Sequence, residues 1–187
     1  MGSVSSFLEA KIVNEHDEEC LPNVPGEIVF RPKYSHCLLE EYFNNPKATL
    51  ECFKNLWFHT GDIGYKDENG TFYFVDRMND VIRHKGENIS SYQIEDIINK
   101  HEQVSVCAAF PIPAEEGNED DIVVYIVPKD GMSLEKDSLM EWITREMPKF
   151  MWPKHIRFID SIPRTPTNKI EKYKLKEQIL KELKIVQ

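Results

Sequence analysis

The fold of the second half of the chain is decided by the run VSVCAAFPI, residues 104–112. This run is almost continuously apolar and is bounded by Pro111 and Pro113, which is typical of a buried strand. The run IVVYIV, residues 122–127, has the same character. Around these runs the sequence predicts helices at 90–100, 133–147 and 171–183 and a further strand at 155–159. Because helices alternate with short β-branched strands after residue 80, we expect one compact α+β unit with a small mixed sheet flanked by helices.

The first 75 residues have a different pattern that favours β-structure. The sequence predicts strands at 8–13, 27–31, 62–65 and 71–75, and a helical segment at 35–55 that is interrupted at Asn45-Pro46. Residues 67–70, Asp-Glu-Asn-Gly, predict a hairpin turn, since Asn-Gly accommodates positive φ at low cost. We therefore place a domain boundary near residues 76 to 80, with units at 1–76 and 77–187.

Charge and cysteine content exclude several classes of protein. The 187 residues carry 23 Lys and Arg against 32 Asp and Glu, a net charge of -9, which argues against a duplex nucleic-acid binder. The four cysteines form no Cys-x-x-Cys pair and no histidine cluster accompanies them, so we expect no zinc site. No long apolar stretch predicts a signal peptide or a membrane span, and a reducing cytoplasm is the expected location.

Two polar residues in the first half are suited to a sugar phosphate. In Thr60-Gly61-Asp62 the glycine lets the backbone approach a ligand closely, and the carboxylate can accept two hydrogen bonds from a ribose diol. Arg77 offers a planar fork of donors to phosphate or hydroxyl groups. Commoner explanations remain open: an aspartate that caps a turn, and a local ion pair between Arg77 and Asp76 or Asp80.

Two lysine-bearing loops in the second half are also candidates. Lys85-Gly86-Glu87-Asn88 is a tight polar turn past which a thin ligand chain could run, although an ordinary hairpin explains its glycine as well. Lys169 lies in a Thr/Pro/Asn loop before a basic helix, where its ammonium could meet charge that develops outside its own domain. The alternative for Lys169 is a solvated start of that helix.

The order and spacing of these motifs resemble the AMP-forming acyl-CoA synthetase superfamily, which includes luciferases and peptide-synthetase adenylation domains. The stretch WFHTGDIG (57–64) is similar to the ribose-binding aspartate motif of that family. FVDRMNDVI (74–82) followed by GENI (86–89) is similar to its hinge motif, and PRTPTNKI (163–170) to its catalytic-lysine motif. The GENI form is similar to acid–CoA ligases of the carnitine, benzoate or medium-chain type. The resemblance extends from about residue 27 to residue 183.

The resemblance implies a reaction in two halves and a role for each motif. A carboxylic acid would be activated by ATP as an acyl-adenylate and then transferred to coenzyme A. Lys169 would be catalytic in the first half, and Asn79 would be the hinge about which the C-terminal domain turns. The cofactors implied are ATP/AMP, coenzyme A and Mg²⁺, the metal being held mainly by a large N-terminal domain. The residues that the resemblance places against nucleotide or coenzyme A are Asp62, Arg77, Lys85, Gly86, Glu87 and Asn88.

Several features depart from the family pattern. Asn79 stands where Asp or Lys is usual, Asn168 where glycine is common, and Glu41 where a glycine often lies. The chain also lacks the Ser/Thr/Gly-rich phosphate loop and the acyl pocket. We therefore expect a fragment in which residues 1–76 end the large adenylation domain and residues 77–187 form a mobile cap. Such a fragment would be inactive alone, and its acid substrate and oligomeric state cannot be inferred. The alternative is a non-catalytic binding module on the same fold.

Overall fold

The computed structural model describes residues 1–115, 117 and 119–184, and the chain divides into two compact units, Met1–Asn79 and Asp80–Gln187. The division after Asn79 lies inside the boundary interval predicted from the sequence, 76–80. It comes three residues after residue 76, where the sequence placed the end of the first unit. Each unit is described below by itself.

The first unit is built on an antiparallel sheet with strand order β1-β2-β4-β3, in which β5 also pairs with β4. One short helix, α1 (Pro46–Cys52), precedes β3. Its small core is formed by Ile12, Ile28 and Phe72. The strands are β1 (Leu8–Val13), β2 (Gly26–Pro32), β3 (Phe53–Lys54), β4 (Trp57–Lys66) and β5 (Phe72–Arg77).

Helix α1 is much shorter than the helical segment predicted at 35–55. It begins at Pro46, which needs no hydrogen-bond partner for its nitrogen, and Asn45 Oδ1 accepts the Ala48 N–H at 3.1 Å as an N-cap. Upstream, His36 and Asn44 have φ of 62° and 53°, which a right-handed helix cannot contain. The prediction was therefore wrong before residue 46, and also after residue 52, where strand β3 (Phe53–Lys54) follows the helix directly.

The predicted turn at 67–70 is confirmed between β4 and β5. Asp67 Oδ1 accepts the N–H groups of Asn69 (2.9 Å) and Thr71 (2.8 Å), and Gly70 has φ of 80°. Strand β4 begins five residues before the predicted strand because it also pairs with β2 and β3. Gly64 is required in β4, since a Cβ there would lie 2.5 Å from the Tyr73 carbonyl oxygen.

The second unit contains a mixed three-stranded sheet of order β10-β9-β8, antiparallel between β8 and β9 and parallel between β9 and β10. A separate hairpin, β6–β7, precedes its first helix. The strands are β6 (Ile82–His84), β7 (Glu87–Ile89), β8 (Val104–Pro113), β9 (Asp120–Pro128) and β10 (His155–Phe158). The helices are α2 (Ser91–Ile98), α3 (Lys136–Glu146) and α4 (Lys172–Leu183), with a 3₁₀ turn at Lys149–Met151.

Both faces of this sheet are covered, which explains the continuous apolar runs. Successive side chains of β9 alternate between two hydrophobic clusters. Val124 packs in the cluster that contains residues of α2 and α3, and Tyr125 packs in the cluster that contains residues of α4. The expected α+β fold with a small mixed sheet flanked by helices is confirmed.

Candidate functional site

Asp62 and Arg77 are brought together by the pairing of β4 with β5. They are directly opposed across the two strands, and Arg77 Nε lies 3.5 Å from Asp62 Oδ1. This ion pair crosses to the neighbouring strand, whereas the pairs considered from the sequence, with Asp76 or Asp80, were local. Asp76 instead accepts the backbone N–H of Arg77 through Oδ1 at 2.8 Å. Because Arg77 is exposed and Asp62 only partly buried, a carboxylate and a guanidinium face solvent side by side.

Hydrogen bonds fix the backbone at Gly61 and Asp62. Gly61 has φ of 71°, its N–H donates to Glu27 Oε1 at 2.9 Å, and its carbonyl accepts the Met78 N–H at 2.8 Å. The N–H of Asp62 donates to Thr60 Oγ1 at 3.0 Å. This fixes the orientation of the Asp62 peptide before any ligand arrives.

Glu27 and His59 form a buried support behind this turn. The second oxygen of Glu27, Oε2, lies 2.8 Å from His59 Nδ1, and His59 Nε2 lies 3.6 Å from Asp17 Oδ1. Asn55 also bonds to the Asp17 carboxylate. The sequence gives no sign of this support, because Glu27 and His59 lie 32 positions apart and meet through the pairing of β2 with β4.

The Lys85 turn connects β6 to β7 through two left-handed residues, Lys85 (φ 53°) and Gly86 (φ 77°). Its two backbone N–H groups both donate to the Glu119 carboxylate, at 2.8 and 3.0 Å. Residues 85–88 are all exposed. Gly86 therefore has the positive φ that an ordinary hairpin turn needs. The sequence did not reveal that the Glu119 carboxylate holds this turn.

The Lys169 loop is a tight turn closed by a bridge between Arg164 and Ile170. Thr165 N–H donates to the Lys169 carbonyl at 2.8 Å, and Arg164 Nη1 donates to the Asn168 carbonyl at 3.0 Å. Asn168 has φ of 66°, a conformation that asparagine tolerates better than most residues, which explains how it can stand where glycine is common. Lys169 itself is exposed, and in the described part of the chain its hydrogen bonds run through its backbone.

Lys172 differs from the solvated start of a basic helix considered from the sequence. Its side chain is only 17% exposed, and Nζ lies 2.8 Å from Ser91 Oγ, 2.9 Å from Glu95 Oε1 and 3.6 Å from Asp80 Oδ2. Beside this cluster, Cys107 is buried, and burial, followed by the Glu95 carboxylate, raises the pKa of its thiol. Such a thiol is not a reactive nucleophile.

Residues 93–169 match the family model of the AMP-binding enzyme C-terminal domain. Over these residues the chain is similar to that domain. Its similar proteins include a crotonobetaine/carnitine–CoA ligase of Proteus sp. (33% identical over 165 residues) and a long-chain-fatty-acid–CoA ligase of Mycobacterium tuberculosis (37% over 167 residues). These alignments cover 88% and 89% of this chain but 32% and 31% of the relatives, so the chain spans about a third of their length.

Solved structures share the fold of this chain. ATP-bound MatB from Rhodopseudomonas palustris shares the fold with a TM-score of 0.81 at 23% identity, over 95% of this chain and 35% of that one. The o-succinylbenzoate CoA synthetase of Bacillus subtilis, solved with its acyl-adenylate intermediate, has a TM-score of 0.75 at 28% identity, over 91% and 34%. The resemblance inferred from the motifs is thus confirmed. Among residues 1–115, 117 and 119–184, no helix has the length and apolarity needed to cross a bilayer.

Proposed function

We propose that the chain contributes to an AMP-forming acid–CoA ligase, in which a carboxylic acid is activated as an acyl-adenylate and passed to coenzyme A. The observation that carries the proposal is Lys169, the last residue of the family match, presented in solvent on a loop that its own backbone hydrogen bonds hold rigid. Asn79 also lies exposed in a turn between β5 and β6, directly before the division between the units. Both features are compatible with a lysine that enters and leaves a cleft.

In the first half-reaction a carboxylate oxygen would attack the α-phosphorus of ATP, and the bond to pyrophosphate would break. Negative charge then concentrates on the carboxylate and phosphate oxygens. The Lys169 ammonium would stabilise that charge, since a compact cation costs little reorganisation when its loop is already ordered. In the second half-reaction the thiolate of coenzyme A would attack the acyl carbon, and AMP would leave.

Asp62 and Arg77 would hold the ribose. The carboxylate can accept both hydroxyl protons of a diol, and the exposed guanidinium beside it can donate to ribose or phosphate oxygens. The Lys85 turn, with Gly86, Glu87 and Asn88, would line the path of the pantetheine arm after a rotation about Asn79. Mg²⁺ would accompany ATP; we assign no residue of this chain to it, because the described residues contain no group of three or more His, Cys, Asp or Glu side chains placed to hold a metal.

A chimaeric enzyme tests the proposal directly. The third of the Proteus crotonobetaine/carnitine–CoA ligase that aligns with this chain is replaced by the chain, and pyrophosphate release is measured with ATP and the acid of that ligase. We expect activity from the chimaera and none from the chain alone. Lys169→Ala in the chimaera should lower adenylation by about 100-fold or more while thioester formation from supplied adenylate is largely kept.

The matched control is Lys174→Ala, an exposed lysine five residues further on that pairs with Glu171. It should leave both half-reactions unchanged. Equal loss in both halves for Lys169→Ala would refute the assigned role. A folded chimaera without activity would favour the second candidate, a non-catalytic binding module.

A further inference from the structure

Lys172 joins three segments that are far apart in the sequence. It is the first residue of α4 and lies three positions after Lys169. Its ammonium contacts Ser91 and Glu95 on α2 and also Asp80, the first residue of the second unit. The base of the Lys169 loop and the residue that follows Asn79 are therefore held by one side chain.

The cluster is also anchored to the sheet. Glu95 Oε1, which contacts Lys172, accepts the backbone N–H of Ala109 in β8 at 2.8 Å, and the Glu95 carbonyl lies 3.6 Å from Cys107 Sγ. The side chains of Lys172 and Glu95 are both largely buried. A largely buried ammonium is costly unless carboxylates and hydroxyls surround it, so its position is sharply defined by these partners.

The Lys174–Glu171 pair at the start of α4 does not share these properties. It lies within one short segment, and the Lys174 side chain is half-exposed. Such a pair connects nothing beyond three residues and contributes little. Only Lys172 among these helix lysines reaches another helix in the described part of the chain.

We propose that Lys172 is a positioning residue that locks the Lys169 loop, helix α2 and the Asp80 end of the turn around Asn79 into one rigid body. The role towards Lys169 rests on the proposed function. When the chain rotates about Asn79, the Lys169 loop then moves together with Asp80, because Lys172 holds the two segments in a fixed relative position. Lys172 itself need touch neither nucleotide nor acid.

Amide hydrogen exchange of the chain, followed by NMR, tests the lock without any assumption about activity. In Lys172→Met, the amides of Thr165, Asn168 and Lys169 should exchange about tenfold faster or more, and Asp80 should gain fast motion in relaxation measurements. Core amides of β9 such as Val124 should be unaffected. Lys172→Arg should restore slow exchange, and Lys174→Met should change nothing.

Two outcomes would overturn the lock: unchanged exchange in the loop of Lys172→Met, or the same acceleration in every amide including the core. If Lys172→Met does not fold, Asp80→Asn removes only the partner at the pivot and should mobilise residue 80 while the loop stays protected. Loss of protection in the core of that variant would also contradict the proposal.

The chimaeric ligase adds the functional half of the test. Lys172→Met should lower the kcat of adenylation about tenfold or more, while KM for ATP and for the acid stays within about twofold, because the residue positions and does not bind. Lys172→Arg should recover most of the rate. If the chimaera with the unaltered chain is inactive, the proposed function is wrong, and the exchange measurement still decides whether the lock exists.

Discussion

Replacing Tyr125 with phenylalanine should stabilise the second unit, although it removes a polar group from the core. Tyr125 is 1% exposed, and within the described residues its hydroxyl oxygen has no hydrogen-bond partner. A buried hydroxyl without a partner costs about 1–3 kcal/mol of desolvation. Burial, followed by the negative charge of Glu182, raises the pKa of this phenol, which fits a hydroxyl in apolar surroundings.

The aromatic ring contributes about equally to the free energy of unfolding in the original protein and in Tyr125→Phe. It stacks on Phe110 with ring centroids 5.8 Å apart, and phenylalanine keeps this contact and the buried apolar area. We therefore expect Tyr125→Phe to raise the free energy of unfolding by about 1 kcal/mol, a shift in the melting temperature of about 4–8 °C for a domain of this size.

Thermal and urea unfolding followed by circular dichroism measure the effect. Tyr34→Phe is the control, because Tyr34 is 67% exposed; it should be neutral within about 0.5 kcal/mol. A loss of stability of about 1 kcal/mol or more in Tyr125→Phe would refute the reasoning, since it would mean that the hydroxyl forms a hydrogen bond in the folded protein.

Three further predictions concern the supports of the candidate site and its surroundings. Glu27→Ala should destabilise the first unit by about 2 kcal/mol in urea unfolding, because it leaves the Gly61 N–H without its acceptor. Glu9→Ala is the control: it breaks a half-exposed ion pair with Arg31 and should cost less than about 1 kcal/mol. Asn168→Gly should keep the stability within about 1 kcal/mol, and Asn168→Val should lose about 1–2 kcal/mol, since valine is strained at positive φ; equal melting temperatures for the two variants would contradict this. The pKa of His155 is lowered from 6.5, mainly by burial, so the folded protein favours the neutral imidazole. The stability that this preference contributes is full above pH 6.5 and is lost as the pH falls below that value. In His155→Gln this pH dependence should be absent when the free energy of unfolding is measured from pH 8 to about 5.

The sequence predicts elements whose stabilising interactions are local or periodic. The run at 104–112 is apolar on both faces because both faces of β8 are covered, and this shows in composition alone. Gly70 marks its turn because few other residues adopt its φ. The motif residues Asp62, Arg77 and Lys169 were also predicted from order and spacing, although their roles stay predictions.

Supporting residues were not predictable in the same way. Glu119, for instance, binds the Lys85 turn from 33 or 34 positions away, and its carboxylate is one of 32 in the chain. The helical segment predicted at 35–55 failed for a different reason. His36 and Asn44 are of types that occur in right-handed as well as left-handed conformations, so their positive φ could not be told from residue type alone.

The amino-acid sequence by itself determined the resemblance to a family, the two-sided burial of the sheet and the choice of candidate nucleotide and acid contacts, since these depend on residue type and spacing along the chain. The tertiary structure alone decided that Arg77 pairs with Asp62, that Glu27 holds Gly61 and that Lys172 is buried among Asp80, Ser91 and Glu95. The reason is physical: a charged side chain pairs with an opposite charge or a hydrogen-bonding group that folding brings within about 4 Å, and in these cases that group comes from a distant part of the chain.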